Sequence, residues 1–406
     1  MRCVDPMSDP PSIANYAPQA TGGEWRFLIR CVAMPLAGKR DVASPAPDAE
    51  GLNWSTVLRL AEANRVVPLL SAVVLANRAK NVPPEAMADL KDRFRYYKQR
   101  GMFFVMELRN VLASLRQAGI RCIPLKGPVL TAGSYGQLGL RDFDDLDLLV
   151  APADVTRAVA VLAKLGYAGW DIPERWVATH LNTESEHNLI CADRAVTLDL
   201  HWAVGRKYFT MPLDFEELWD RTARTKLIGA EVPDLSPEDN VLFLCYHGGK
   251  HLFGRLTWVC DVAATIGAHP NLDWDALLGK ATQMGARRLL LLGLCLAQDL
   301  LESELPIRLR HLIRSQSTLE SLAARVMRGI LREANSTSQL KQQIEASLFH
   351  LRVRERTSDR LRYLLWAAEP NARDWHDSRL PRSLGFLLML TRPVRLLRKN
   401  WTRAAA

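Results

Sequence analysis

The chain has 406 residues, 48% of them hydrophobic, with a formal net charge of +9. That length exceeds one typical domain and the apolar content is ample for a buried core, so two or three packed units are expected rather than a disordered chain. The seven cysteines (Cys3, Cys31, Cys122, Cys191, Cys245, Cys260 and Cys295) are scattered and never spaced Cys-x-x-Cys. This excludes a zinc ribbon or a disulfide framework and favours a reducing compartment.

In chain order, residues 1–50 are rich in Pro, Ala and Asp around one apolar patch, Trp25–Pro35, and read as a poorly ordered segment. Residues 51–118 read as a helical region. Leu58, Leu60, Ala61, Val66, Leu69 and Leu70 recur at helical spacing from a start near Trp54, and Phe103–Leu115 forms a second apolar-faced helix. An α/β core follows at 119–235. Ile120–Leu125 reads as a short buried strand ending at Lys126-Gly127, where a backbone turn with an available cation suits a phosphate. Asp154–Leu165 reads as a helix stopped by Gly166.

Within that core, side-chain parity singles out three carboxylates. In Asp145-Leu-Asp147-Leu-Leu-Val, Asp145 and Asp147 share one face of a strand while Leu146 and Leu148 take the other. The pair Asp142 and Asp144 is out of phase with them, precedes the apolar run and reads as loop. In Ala195–Trp202, Val196, Leu198, Leu200 and Trp202 alternate with Thr197, Asp199 and His201, the pattern of a half-buried strand. Neighbouring carboxylates on one face repel unless a cation lies between them, and an oxygen-only set without cysteine suits Mg²⁺ or Mn²⁺.

Several ordered blocks carry a resemblance: Leu125-Lys126-Gly127, Tyr135, Arg141 ahead of Asp-Leu-Asp-Leu-Leu-Val, Leu198-Asp-Leu-His-Trp, and Leu256-Thr-Trp-Val-Cys-Asp261. Over roughly residues 54–305 the chain resembles the uncharacterised nucleotidyltransferase family of the DNA-polymerase-β-like superfamily. The resemblance implies an α+β fold: a small mixed β-sheet core flanked by N- and C-terminal helical regions. It implies an NTP substrate and two Mg²⁺ (or Mn²⁺) ions on Asp145, Asp147 and Asp199, with Asp199 also helping to activate the acceptor. Lys126, Gly127, Tyr135 and Arg141 fall on the nucleotide and phosphate side. One departure stands out: Gly127-Pro128 replaces a Gly-Gly or Gly-Ser turn, so one backbone N–H is missing from the phosphate cradle. His201 is open to three roles: orienting Asp199, binding the acceptor, or bonding within the core.

Residues 236–350 read as a helical domain opening at Ser236 as N-cap with Pro237 in the first turn. His247 and His251 are one turn apart, but without a Glu beside the first or a third ligand they do not make a zinc pair. Together with Arg255 and Asp261 they either support the acceptor side of the cleft or form a polar network between helices. Residues 351–406 hold 13 Lys and Arg against 5 Asp and Glu, leaving the body nearly neutral, which argues against nucleic acid tracking over it. In this basic tail Phe386, Leu387, Leu390, Val394, Leu397 and Trp401 share a helical side, although Pro393 interrupts it. Such a stretch suits a peripheral contact with an anionic membrane or a protein. No run approaches the roughly 18 apolar residues of a membrane span, and the N-terminus has no basic-then-apolar signal. The expected address is cytoplasmic, with the inner membrane face open through the tail. The expected acceptor is a small molecule or peptide, and the different-class alternative is a degenerate member that binds nucleotide or a partner without turnover.

Overall fold

The computed structural model describes residues 22–36, 47–76, 79–205, 213–331 and 339–368. The helical-face expectation for 386–401 lies outside these residues, as do 1–21 and 37–46 of the 1–50 segment. Helices α1 (Gly22–Ala33), α2 (Trp54–Ala63), α3 (Val67–Ala76) and α4 (Pro84–Gln117) come first. The sheet region follows: β1 (Cys122–Leu125), α5 (Gly127–Leu130), β2 (Asp145–Val150), α6 (Val155–Lys164), α7 (Glu174–Thr183), β3 (Glu186–Cys191) and β4 (Val196–His201). After α8 (Phe215–Asp220) and a hairpin of β5 (Ala223–Leu227) and β6 (Ala230–Asp234), helices α9 (Pro237–Lys250), α10 (Leu256–Ala268), α11 (Trp274–Met284) and α12 (Arg287–Leu301) pack in sequence. The described chain closes with α13 (Ile307–Arg314), α14 (Ser317–Leu331), α15 (Gln339–Val353) and α16 (Thr357–Ala368). The fold is α+β, as the resemblance implied, and no helix among the described residues is long and apolar enough to cross a membrane.

Local chemistry accounts for the element ends that matter here. The Asn53 side chain accepts from Thr56 N at 3.1 Å to start α2, and Ser236 Oγ accepts from Asp239 N at 3.2 Å to start α9. The apolar patch at 25–35 is not loose: α1 buries Trp25, Leu28, Cys31 and Val32 completely. Gly139 shows where a glycine is required. Its φ is +88°, and a Cβ there would stand 2.6 Å from Lys98 Cγ and 3.0 Å from Lys98 Cα, so loop and helix touch backbone to backbone.

The main sheet has the order β1-β2-β4-β3, with β2 and β4 parallel at its centre and antiparallel strands outside. Its two faces enter different cores. Leu146, Leu148, Val150, Val196, Leu198 and Leu200 join the C-terminal half of α4 and α6 in one core. Ile123, Leu125 and Leu149 point the other way, into a larger core shared by α1–α3 and the helices from α9 onward. Helices before and after the sheet therefore bury one common apolar mass. The face carrying Asp145, Asp147, Asp199 and His201 is consequently partly covered, with Asp147 and His201 buried and Asp145 and Asp199 half-buried.

On β6, the buried Asp234 accepts from Thr225 Oγ1 at 2.6 Å. Burial pushes its carboxyl up to about 6, against smaller downward effects from Thr225 and the Leu235 amide. A folded value above the ordinary ~3.9 means that this carboxyl favours folding below about pH 4, and that the benefit is lost as pH rises through 6. Asp234→Asn keeps an acceptor for Thr225 and is expected to raise Tm at pH 8 while changing little at pH 4. Equal Tm shifts at the two pH values would contradict the sign.

Candidate active site

The site begins at the end of β1, where the chain makes an unusual turn. Lys126 has φ +51° and ψ −144°, and Gly127 has φ +50°. A lysine in that region costs on the order of 1–3 kcal/mol and persists only where surrounding contacts fix it. Its Nζ lies 3.0 Å from Asp147 Oδ2, in a pair with little solvent access.

Strand register then lays out a row across the sheet: Leu125 opposite Asp147, Asp147 opposite Asp199, and Asp199 opposite Asn188. Two carboxylates thus face each other across adjacent parallel strands. Asn188 Nδ2 donates to Asp199 Oδ1 at 2.8 Å, which orients that carboxylate and leaves Oδ2 for another partner. A second row places His201 opposite Glu186. His201 Nε2 meets Asp147 Oδ1 at 3.1 Å and Nδ1 meets Glu186 Oε2 at 3.2 Å, while Lys250 Nζ binds both Glu186 oxygens at 3.2 and 3.3 Å. Lys126, Asp147, His201, Glu186 and Lys250 form one connected chain of polar contacts. Both His201 nitrogens face carboxylates, an arrangement fully bonded when both carry protons.

Electrostatics divide the three aspartates. Burial raises Asp147, but Lys126 and His201 outweigh it and hold the carboxyl well below the usual range. Burial and then the charge of Asp147 push Asp145 up to about 6. Asp199 is raised by burial, with the Asn188 hydrogen bond opposing. Glu186 is raised by burial and lowered by more through His201 and Lys250. Asp147, Asp199 and His201 offer ligand atoms within 4.8 Å of one another, the spacing of a divalent-cation site. The donor set fits: two opposed carboxylates, a third aspartate on the same face and one imidazole are ligands for Mg²⁺ or Mn²⁺, with the imidazole favouring Mn²⁺.

The other residues singled out in the sequence divide into two groups. His247 and His251, with rings 4.8 Å apart, lie at the end of α9 where both feel the charge of Lys126. Burial first, and Lys126 second, pushes His247 well below its usual value. His251 stacks on Trp258 at 5.0 Å and Arg255 lies over the same indole at 5.8 Å. Tyr135, Arg141 and Asp261 gather elsewhere. Arg141 is buried and donates from Nε to Asp261 Oδ1 at 2.7 Å and from its terminal nitrogen to Oδ2 at 2.9 Å, while the Tyr135 hydroxyl donates to Oδ1 at 2.7 Å. Arg141, expected on the phosphate side, has its planar fork taken up by a carboxylate of α10. Asp142 and Asp144 are loop, as their phase required, and both pair with Arg65 at 2.9 and 3.1 Å.

Three members of the site escaped the sequence reading: Glu186, Asn188 and Lys250. The signal for the first two was the alternation of Glu186, Asn188 and Ile190 against Leu189 and Cys191, a strand with too few apolar residues to stand out. Lys250 had none beyond its place at a helix C-terminus. With the geometry in view, comparison with known proteins gives one match: a family described as an uncharacterised nucleotidyltransferase matches residues 50–302. No curated protein and no solved structure matches.

Proposed function

The chain belongs to the uncharacterised nucleotidyltransferase family, and from that premise we propose that it moves a nucleoside monophosphate from an NTP to an acceptor hydroxyl or phosphate, on a polymerase-β-like core. The observation that carries this reading is the opposition of Asp147 and Asp199 on adjacent parallel strands, with Lys126 at 3.0 Å from Asp147. Divalent ions, two of Mg²⁺ or Mn²⁺ in this reading, held by Asp145, Asp147 and Asp199 with His201 beside them, would supply Lewis-acid charge for the pentavalent phosphorus and the departing pyrophosphate.

This chain's own residues do the rest. Lys126 balances Asp147 at 3.0 Å and offers its ammonium to the triphosphate when nucleotide enters. The acceptor oxygen attacks the α-phosphorus, its proton passes to Asp199 Oδ2, and the bond to the β-phosphate oxygen breaks. Burial raises Asp199 toward the range useful in a base. Asn188 fixes the angle of that carboxylate, while Glu186 and Lys250 fix His201. The acceptor in this reading is a small molecule or peptide, because the body of the chain lacks the basic surface that nucleic acid needs.

A second reading rests on two specific observations: Pro128 withholds a backbone donor from the phosphate turn, and Lys126 already neutralises Asp147. It makes the protein a nucleotide-binding member without turnover. Pyrophosphate release and binding, measured for the four NTPs with Mg²⁺ or Mn²⁺, separate the two. Metal-dependent release is expected. Tight binding of an NTP without release would favour the second reading, and no binding of any NTP would sink both.

A further inference from the structure

A cavity of about 510 Å³ opens where α12, α14, α15 and α16 meet, outside the carboxylate cleft. Its lining residues include Arg288, Arg352 and Arg360, together with Thr318, Ser321 and Leu364, and no Asp or Glu. Two of the basic groups are held by backbone carbonyls. Arg288 donates from a terminal nitrogen to the carbonyls of Arg352 and Arg354 at 2.7 and 3.2 Å, and Arg360 Nε donates to the carbonyl of Arg354 at 3.0 Å. Arg352 lies in the last turn of α15 and Arg354 just past its end, so this helix end and the turn after it hold the Arg288 and Arg360 guanidinium groups. Arg288 Nε is shielded from solvent and has no hydrogen-bond partner. The Glu355 carboxylate accepts from the backbone N–H of Arg288 at 3.1 Å. Burial pushes Arg288 below its ordinary value, with the charge of Glu355 opposing and the smaller effect of Arg360 adding to it. Three arginines in the wall of one open space, with no acid among its lining residues, is an arrangement that an anion would relieve.

We propose that this cavity is a second binding site, for a phosphomonoester. Guanidinium forks match phosphate oxygens in paired hydrogen bonds, and the Thr318 hydroxyl adds a small donor, while Ser321 Oγ donates to the Thr318 carbonyl at 2.9 Å and keeps only acceptor capacity. The volume lies within the range of roughly 300–1,000 Å³ typical of small-molecule sites and exceeds what one phosphate fills. The remainder, walled by Leu351 and Leu364, takes an organic group of up to mononucleotide size. The same phosphate chemistry has a second source, since Leu361, Leu364 and Leu365 on α16 are 59%, 52% and 54% exposed beside the cavity and would meet acyl chains if a lipid headgroup filled it.

The test uses the full chain in EDTA, which silences metal-dependent binding at the aspartates. Inorganic phosphate and glycerol 3-phosphate are titrated by calorimetry, and vesicles of phosphatidylcholine with or without phosphatidic acid are co-sedimented. Arg352→Gln is the informative variant: Arg352 is exposed, and its side chain has no ion-pair partner among the described residues, so folding is preserved. The expected result is saturable binding that weakens at least tenfold in Arg352→Gln and Arg360→Gln and persists in Lys126→Met. Binding of the soluble phosphates identifies a free phosphomonoester as the ligand. Loss of phosphatidic-acid-dependent sedimentation in Arg352→Gln, without soluble binding, identifies a headgroup. Binding that is unchanged in both arginine variants, or no binding to any of these probes, overturns the assignment.

Discussion

Asp147→Asn is expected to fold and to lose pyrophosphate release by at least about 10²–10³-fold, the scale on which one preorganised charge contributes to a transition state. Asp147 sits at the crossing of every line in the site. It faces Asp199 across the sheet, meets Lys126 with one oxygen and His201 with the other, and is 5% exposed. Asparagine keeps the volume and one acceptor but no charge. Removing one partner of a buried pair costs roughly 3–5 kcal/mol when the survivor is left uncompensated. Here the loss of stability should be smaller, because Asp145 feels the charge of Lys126 and Glu186 still holds His201.

Asp145→Asn supplies the contrast. Its carboxyl titrates at about 6 because burial and Asp147 disfavour its charge, so at pH 7 and above the wild-type charge works against the fold. The asparagine variant should therefore melt higher than wild type at pH 8 while turning over more slowly. Melting by circular dichroism beside a pyrophosphate assay checks both. Undiminished turnover in Asp147→Asn would remove this carboxylate from the chemistry.

The acidic row was legible in the sequence because strand parity is a local property. Val196, Leu198 and Leu200 enter the core at every second residue, which forces Thr197, Asp199 and His201 onto the opposite face whatever covers it. The same logic separated Asp142 and Asp144 from Asp145 and Asp147. What covers that face was not local. The half-buried alternation read for β4 holds, with Thr197 and Asp199 only partly covered, while Ile123, Leu125 and Leu149 continue the same face into the common helical core. Edge strand β3 escaped for a related reason: only Leu189 and Cys191 in it are buried, so its alternation is carried by two residues. The partner of Arg141 lies 120 residues away in sequence, and no spacing rule says which carboxylate a buried guanidinium will find.

That pairing makes the second large prediction. Asp261→Ala should destabilise the protein by roughly 3–5 kcal/mol, because it strands a buried Arg141 and leaves the Tyr135 hydroxyl without its acceptor. Burial alone would lower Arg141, and Asp261 more than reverses this. Removing Asp261 therefore removes what makes the buried charge tolerable. Arg141→Met should cost a similar amount by leaving Asp261, 1% exposed, without a cation. The double variant Arg141→Met with Asp261→Leu should recover much of the loss, since a buried pair replaced by apolar groups of similar volume is often near neutral in stability. A double-mutant cycle in urea, with coupling well above 1 kcal/mol, is the expected result. If Arg141 instead serves the triphosphate, Arg141→Met will raise the KM for NTP with little change in the urea midpoint, and the two single variants will be additive. The cycle thus distinguishes a strut joining the carboxylate strand's approach loop to α10 from a phosphate ligand.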